Sequence, residues 1–155
     1  MSDVAVVAAP RARRETARIR RRRDDLWIAI SALAAALFAL PLAQSSWHGP
    51  EVSSVLAIAA TAMFAGQRWA IAVIVIAELL LVPTVWPRAF LGPDLATQIA
   101  AFGSLIAMVP GVLAMRRAAA ALVLVTGWRR TRETCRRFHL VLVALGFIAS
   151  LLPML

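Results

Sequence analysis

Residues 26–47 read LWIAISALAAALFALPLAQSSW, and from 26 to 43 no residue carries a charge. Twenty residues at about 1.5 Å each place Trp27 and Trp47 about 30 Å apart, the thickness of a hydrocarbon core. Tryptophan favours the two membrane–water boundaries, so the pair brackets a membrane-spanning helix. Working outward, the same alternation recurs: apolar stretches separated by short polar or proline-rich breaks. The whole chain is 61% hydrophobic with a mean hydropathy of +0.78, against about 45–50% apolar for a soluble domain. That much apolar surface has to be absorbed by lipid.

The second apolar stretch is expected over residues 52–65 and the third over 69–85, joined by a tight turn at Gly66-Gln67-Arg68. The second is short, about 21 Å, but the turn makes the two a membrane hairpin. Trp69 and Trp86 mark the ends of the third helix. Pro83, Pro87 and Pro93 predict an irregular connection over 83–94. A fourth helix follows over 95–115, with Pro110-Gly111 inside it and a bend expected one turn from its end. Residues 118–128, closed by Trp128, are apolar yet too few to cross a bilayer, and arginine pairs flank them. They read as an interfacial or re-entrant segment. Arg129, Arg132, Arg136 and Arg137 then share a helical face, as on a surface helix. The last span is expected over 138–155. The fold class is an all-α membrane protein with about five transmembrane helices and an interfacial segment before the last. Its regions are an arginine-rich tail (1–25), a four-helix region (26–115), the arginine-rich interfacial segment (116–137) and the final span (138–155).

All 17 basic residues are arginine, and the formal net charge is +9. Arg11, Arg13, Arg14, Arg18, Arg20, Arg21, Arg22 and Arg23 crowd the tail. It lacks apolar periodicity and should be disordered in solution while able to become helical on a surface. The basic run follows the short apolar stretch 1–10, the reverse of a secretory leader, so no cleavage is expected there. Arginine concentrates in cytoplasmic segments. Five spans with a cytoplasmic amino terminus place the tail, the Gly66 turn and residues 116–137 on that side, leaving Arg88 alone outside. Alanine-rich, lysine-free composition points to a GC-rich bacterial genome and hence to the inner membrane. The tail and Arg129, Arg130, Arg132, Arg136 and Arg137 form a surface for anionic lipid or an acidic partner. Groove-reading elements are missing, so nucleic acid is not expected.

Glu78 is the one ionisable residue deep in a span, where a charge costs about 2.5–3.5 kcal/mol on insertion scales. Two readings stand side by side: a proton or cation site, and a structural carboxyl hydrogen-bonded between helices. Ser53, Gln98 and Ser104 are its candidate partners. Small residues recur every fourth position: Ser31, Ala35 and Ala39; Ser53, Ala57 and Thr61; Gly103, Ala107 and Gly111; Gly146 and Ser150. Such stripes let helix backbones approach in lipid, within the chain or against another polypeptide.

The single Cys135 excludes an internal disulfide and a cysteine-based metal cluster. No nucleophile elbow, phosphate loop, His-Glu-x-x-His helix or dinucleotide fingerprint is present, so neither a catalytic residue nor a cofactor is expected. The hairpin, its proline-rich exit and the following helix, residues 52–115, loosely resemble the four-helix membrane modules of some bacterial sensor kinases; the kinase itself is absent. The expected function is that of a non-enzymatic subunit or scaffold of a larger membrane complex. The alternative is a small oligomeric transporter or channel built around Glu78.

Overall fold

The computed structural model describes residues 3–43 and 49–151, with side chains from 15 to 42 and from 50 to 151. Six helices account for nearly all of it: α1 (Asp3–Ala43), α2 (Gly49–Phe64), α3 (Ala70–Leu91), α4 (Leu95–Leu113), α5 (Met115–Val125) and α6 (Arg132–Leu151). Four segments are long and apolar enough to cross a membrane: Glu15–Leu42, Ala70–Leu91, Leu95–Leu113 and Arg132–Leu151. At 16 residues α2 is shorter than these, about 24 Å long. The chain is thus an all-helical protein suited to membrane insertion.

α1 packs against α2 and α4, and α3 packs against the same two, so the first four helices close a ring. α5 and α6 pack on each other and on the outer side of α3. This makes α3 the central helix, buried toward the ring through Ile74, Leu81 and Val85 and toward α5 and α6 through Val75 and Leu79. Alanine dominates the seam of α1, where Ala29, Ala32, Ala35, Ala36 and Ala39 are all buried. Ala29, Ala32, Ala36 and Ala39 alternate in spacing between three and four, with Ala35 beside them, which keeps the set on one face. Lipid offers no hydrophobic incentive for helices to associate, so close backbone approach through small side chains has to hold the ring together.

Several expected boundaries move. The arginine tail, expected to be able to turn helical, is continuous with the first span: α1 runs unbroken from Asp3 through the basic run into the apolar stretch. Arginine and alanine are strong helix formers, and a span already helical extends at little cost because nucleation is done. The irregular connection expected over 83–94 shrinks to Gly92–Asp94, because α3 continues through Pro83 and Pro87 to Leu91. Inside a bilayer a helix loses less by missing one hydrogen bond at a proline than by unwinding several unsatisfied groups into lipid. Asp94 then caps α4, its Oδ1 accepting from Thr97 N at 3.2 Å.

The bend expected after Pro110 is a full break. α4 stops at Leu113, Ala114 leaves helical geometry with its N–H shared among the Pro110, Gly111 and Val112 carbonyls, and α5 restarts at Met115. The short segment expected over 118–128 is therefore helix over Met115–Val125. Met115, Ala118 and Ala119 pack with Val75, Leu79 and Leu142, while Leu124 lies beside the Gly66 turn. α5 thus carries on in the direction of α4, running along α3 from the level of Leu79 to that turn. The surface helix expected before the last span is not a separate element, since α6 begins at Arg132. Glu133 and Arg137 pair across its first turn at 2.6 Å.

Of the tryptophans expected at the boundaries, Trp27, Trp69 and Trp128 are exposed. Trp86 is half-buried and packs edge-on to Phe90, which does the same to Phe102, tying the end of α3 to α4. Trp47 lies outside the described residues.

Candidate functional site

Glu78 sits nine residues into α3, about 12 Å along it from Ala70. Its spacing from Ile74, Leu81 and Val85 puts it on the face turned to the ring interior, and it is fully buried. Neither of its side-chain oxygens has a hydrogen-bond partner. The group against it is Gly111 of α4: a Cβ placed on Gly111 would overlap Oε2 and Cδ of Glu78. Glycine at 111 is therefore the seat of the carboxyl. Immediately before it, Pro110 offers no N–H to the helix, and one turn later the helix breaks at Ala114. A buried, unsatisfied carboxyl thus rests on the weakest turn of the helix that faces it.

The three polar residues expected to satisfy Glu78 are engaged elsewhere. Gln98 lies at the far end of α4, where its Nε2 donates to the Gly92 carbonyl at 3.0 Å and closes the connection from α3. Ser104 is buried and donates to the Ala35 carbonyl at 3.2 Å, an interhelical bond between α4 and α1. Ser53 is buried on α2 and is bonded to a group other than Glu78.

The small-residue stripes are used mainly inside the ring. Ala35 and Ala39 are buried between helices, and a Cβ on Gly103 would lie 3.4 Å from the Phe38 ring. Gly146 lies 3.1 Å, as a virtual Cβ, from Leu79, and is thereby fixed to α3. A strict four-residue spacing drifts by about 40° per step on a 3.6-residue helix, so the stripes leave the faces they start on. On α2 the buried line is Ser53, Leu56, Ala60 and Met63, while Thr61 is exposed and Ala57 only half-buried. On α4 it is Ala101, Ser104, Met108 and Gly111, with Ala107 at its margin. Ser31, Thr61 and Ser150 bond back to carbonyls of their own helices.

The arginines divide into two groups. Arg18, Arg20, Arg22 and Arg23 are exposed along α1, and Arg129, Arg132, Arg136 and Arg137 are exposed at and before the start of α6; the side chains of Arg11, Arg13 and Arg14 lie outside the described residues. Arg21 and Arg130 instead join two residues not anticipated from the sequence, Arg68 and Arg117, around one cavity where α1, the Gly66 turn and α5 meet. Arg117 is ion-paired there with Asp25 of α1. Sequence carried a usable signal: the positive-inside count already puts the tail, the turn and residues 116–137 at one level. A second, more open groove is lined by Arg116, Arg132, Arg136, Glu133, Cys135 and His139. Among the described residues no three of His, Cys, Asp and Glu converge as metal ligands would. Compared with known proteins, the chain matches no family model, no curated protein and no solved structure.

Proposed function

We propose that the protein is a non-enzymatic subunit of a larger complex in the bacterial inner membrane, with α6 as the helix that meets its neighbour. The observation that carries this reading is the position of α6. It is 20 residues long and apolar enough to span, yet Leu142 is its only buried residue. Leu140, Val141, Leu145, Phe147 and Ile148 are exposed. A helix held along one edge gains little from packing in lipid, and a second polypeptide on its open face supplies what the ring does not. Within this proposal the chain crosses the bilayer five times, α2 included, with the arginine-bearing ends in the cytoplasm. Purification in mild detergent or nanodiscs, with photo-crosslinkers at Leu145 and Ile148, is expected to recover a stoichiometric membrane partner. A lone monomer with crosslinks to lipid only would remove this reading.

A second reading rests on Glu78 alone: a proton or cation transporter in which the carboxyl gains and loses charge as the Pro110–Ala114 break opens and closes. An unpartnered acid inside a helical ring is costly to keep, and intramembrane acids of this kind mark ion pathways. Glu78→Gln preserves shape and forbids ionisation. Reconstituted in vesicles, this variant is expected to abolish any ion flux the protein supports; unchanged flux would exclude Glu78 as the coupling group.

A further inference from the structure

Four arginines from four separate parts of the chain line one cavity at the arginine-bearing end of the ring: Arg21 on α1, Arg68 in the turn before α3, Arg117 on α5 and Arg130 in the connection to α6. They surround a cavity of about 150 Å³. One carboxylate is present, Asp25, and it is committed to Arg117, whose guanidinium it fixes in place. Among the described residues no carboxylate pairs with Arg21, Arg68 or Arg130. Three like charges are thus held around a shared space with nothing to neutralise them. The cavity also has apolar lining, from Met63, Ile71 and Leu124. Electrostatic attraction is stronger beside such low-dielectric walls than in open water.

We infer that this cavity binds a phosphate group, carried either by an anionic membrane lipid or by a free phosphate ion. Guanidinium presents paired donors that match phosphate oxygens, and four of them from different directions can saturate a tetrahedral anion. Space suffices, since the volume corresponds to several waters at about 30 Å³ each. Basic pockets between membrane helices at a cytoplasmic face are suited to phosphate head groups. The second basic groove is a weaker candidate because α6 supplies most of its lining and Glu133 contributes acid to it. The first is assembled only when the tertiary fold brings α1, the turn and α5 together. Bound phosphate would therefore tie those parts to one another, and the site stands whichever function the helices above it serve.

The test uses the full chain in detergent, titrated at moderate salt so that general surface attraction is screened. The probes are a short-chain phosphatidylglycerol and, separately, inorganic phosphate, with retained ligand read by native mass spectrometry. Arg68→Gln combined with Arg130→Gln removes two exposed side chains and leaves the Asp25–Arg117 pair intact. It is expected to weaken binding about thirtyfold. Arg20→Gln combined with Arg22→Gln deletes the same charge from exposed positions of α1 that do not line the cavity, and is expected to change binding less than about twofold. Loss of the lipid alone assigns the phosphate to a head group, whereas equal loss of both probes assigns the site to phosphate of either origin. Equal weakening by the two double variants, or no binding of either probe to the parent protein, overturns the inference.

Discussion

Gly111→Ala is expected to destabilise the protein by about 1–3 kcal/mol, the usual range for forcing extra volume into a packed interior. The added methyl would coincide with Glu78 Oε2 and Cδ, so either the carboxyl must leave its rotamer or α4 must move away from α3. On a helical glycine whose Cβ meets no obstruction the same change would be favourable by up to about 1 kcal/mol, because alanine orders the helix more cheaply. This opposition of signs makes the effect diagnostic. In a Glu78→Ala background the obstructing carboxyl is gone, and Gly111→Ala is expected to become neutral or stabilising. Thermal unfolding of the four proteins of this double-mutant cycle in one detergent measures the coupling. Additive losses would show that Gly111 is constrained by something other than Glu78.

The features that reached the sequence reading intact are those set by local composition. An uncharged apolar run over residues 26–43 is legible because lipid selects for it directly, and a lone acid in the middle of α3 stands out for the same reason. What was not legible depends on register between helices. Nothing local to Gly111 says that it faces Glu78 rather than a leucine, since that pairing depends on how far α4 slides along α3 after the Gly92–Asp94 connection. Polarity alone pairs Gln98 with Glu78, but the antiparallel course of the two helices carries Gln98 to the opposite end. Proline misled differently. In water Pro83 and Pro87 would break a helix, because exposing its backbone to solvent costs little, whereas α3 obeys the rule for lipid. Pro110 likewise lies inside its helix, which ends only at Leu113, one turn later. The Arg117–Asp25 pair and the cavity beside it depend on α5 packing along α3 as far as the Gly66 turn, a contact that no count of charges along the chain contains.

Glu78→Met is expected to raise stability by about 1–3 kcal/mol, the cost attached to a buried polar group that lacks a partner. Methionine has a similar length, carries no group that needs a hydrogen bond, and is flexible enough to pass Gly111 without clashing. The measurement is the melting midpoint of the variant beside that of the parent and of Glu78→Gln, which keeps a polar group in the same place and should gain little. A lower midpoint for Glu78→Met would mean that the carboxyl is satisfied in the membrane by water, by an ion or by another chain. A higher one would leave Glu78 as a residue that weakens its own protein. Selection removes such residues readily where only packing is at stake, because an apolar side chain of the same size is one or two base changes away. Sites that break a local rule without structural compensation tend to be those where function demands it. Greater stability in Glu78→Met, joined to loss of whatever activity the reconstituted protein shows, would therefore locate that activity at the carboxyl on Gly111, and greater stability with activity intact would return the weight to the open face of α6.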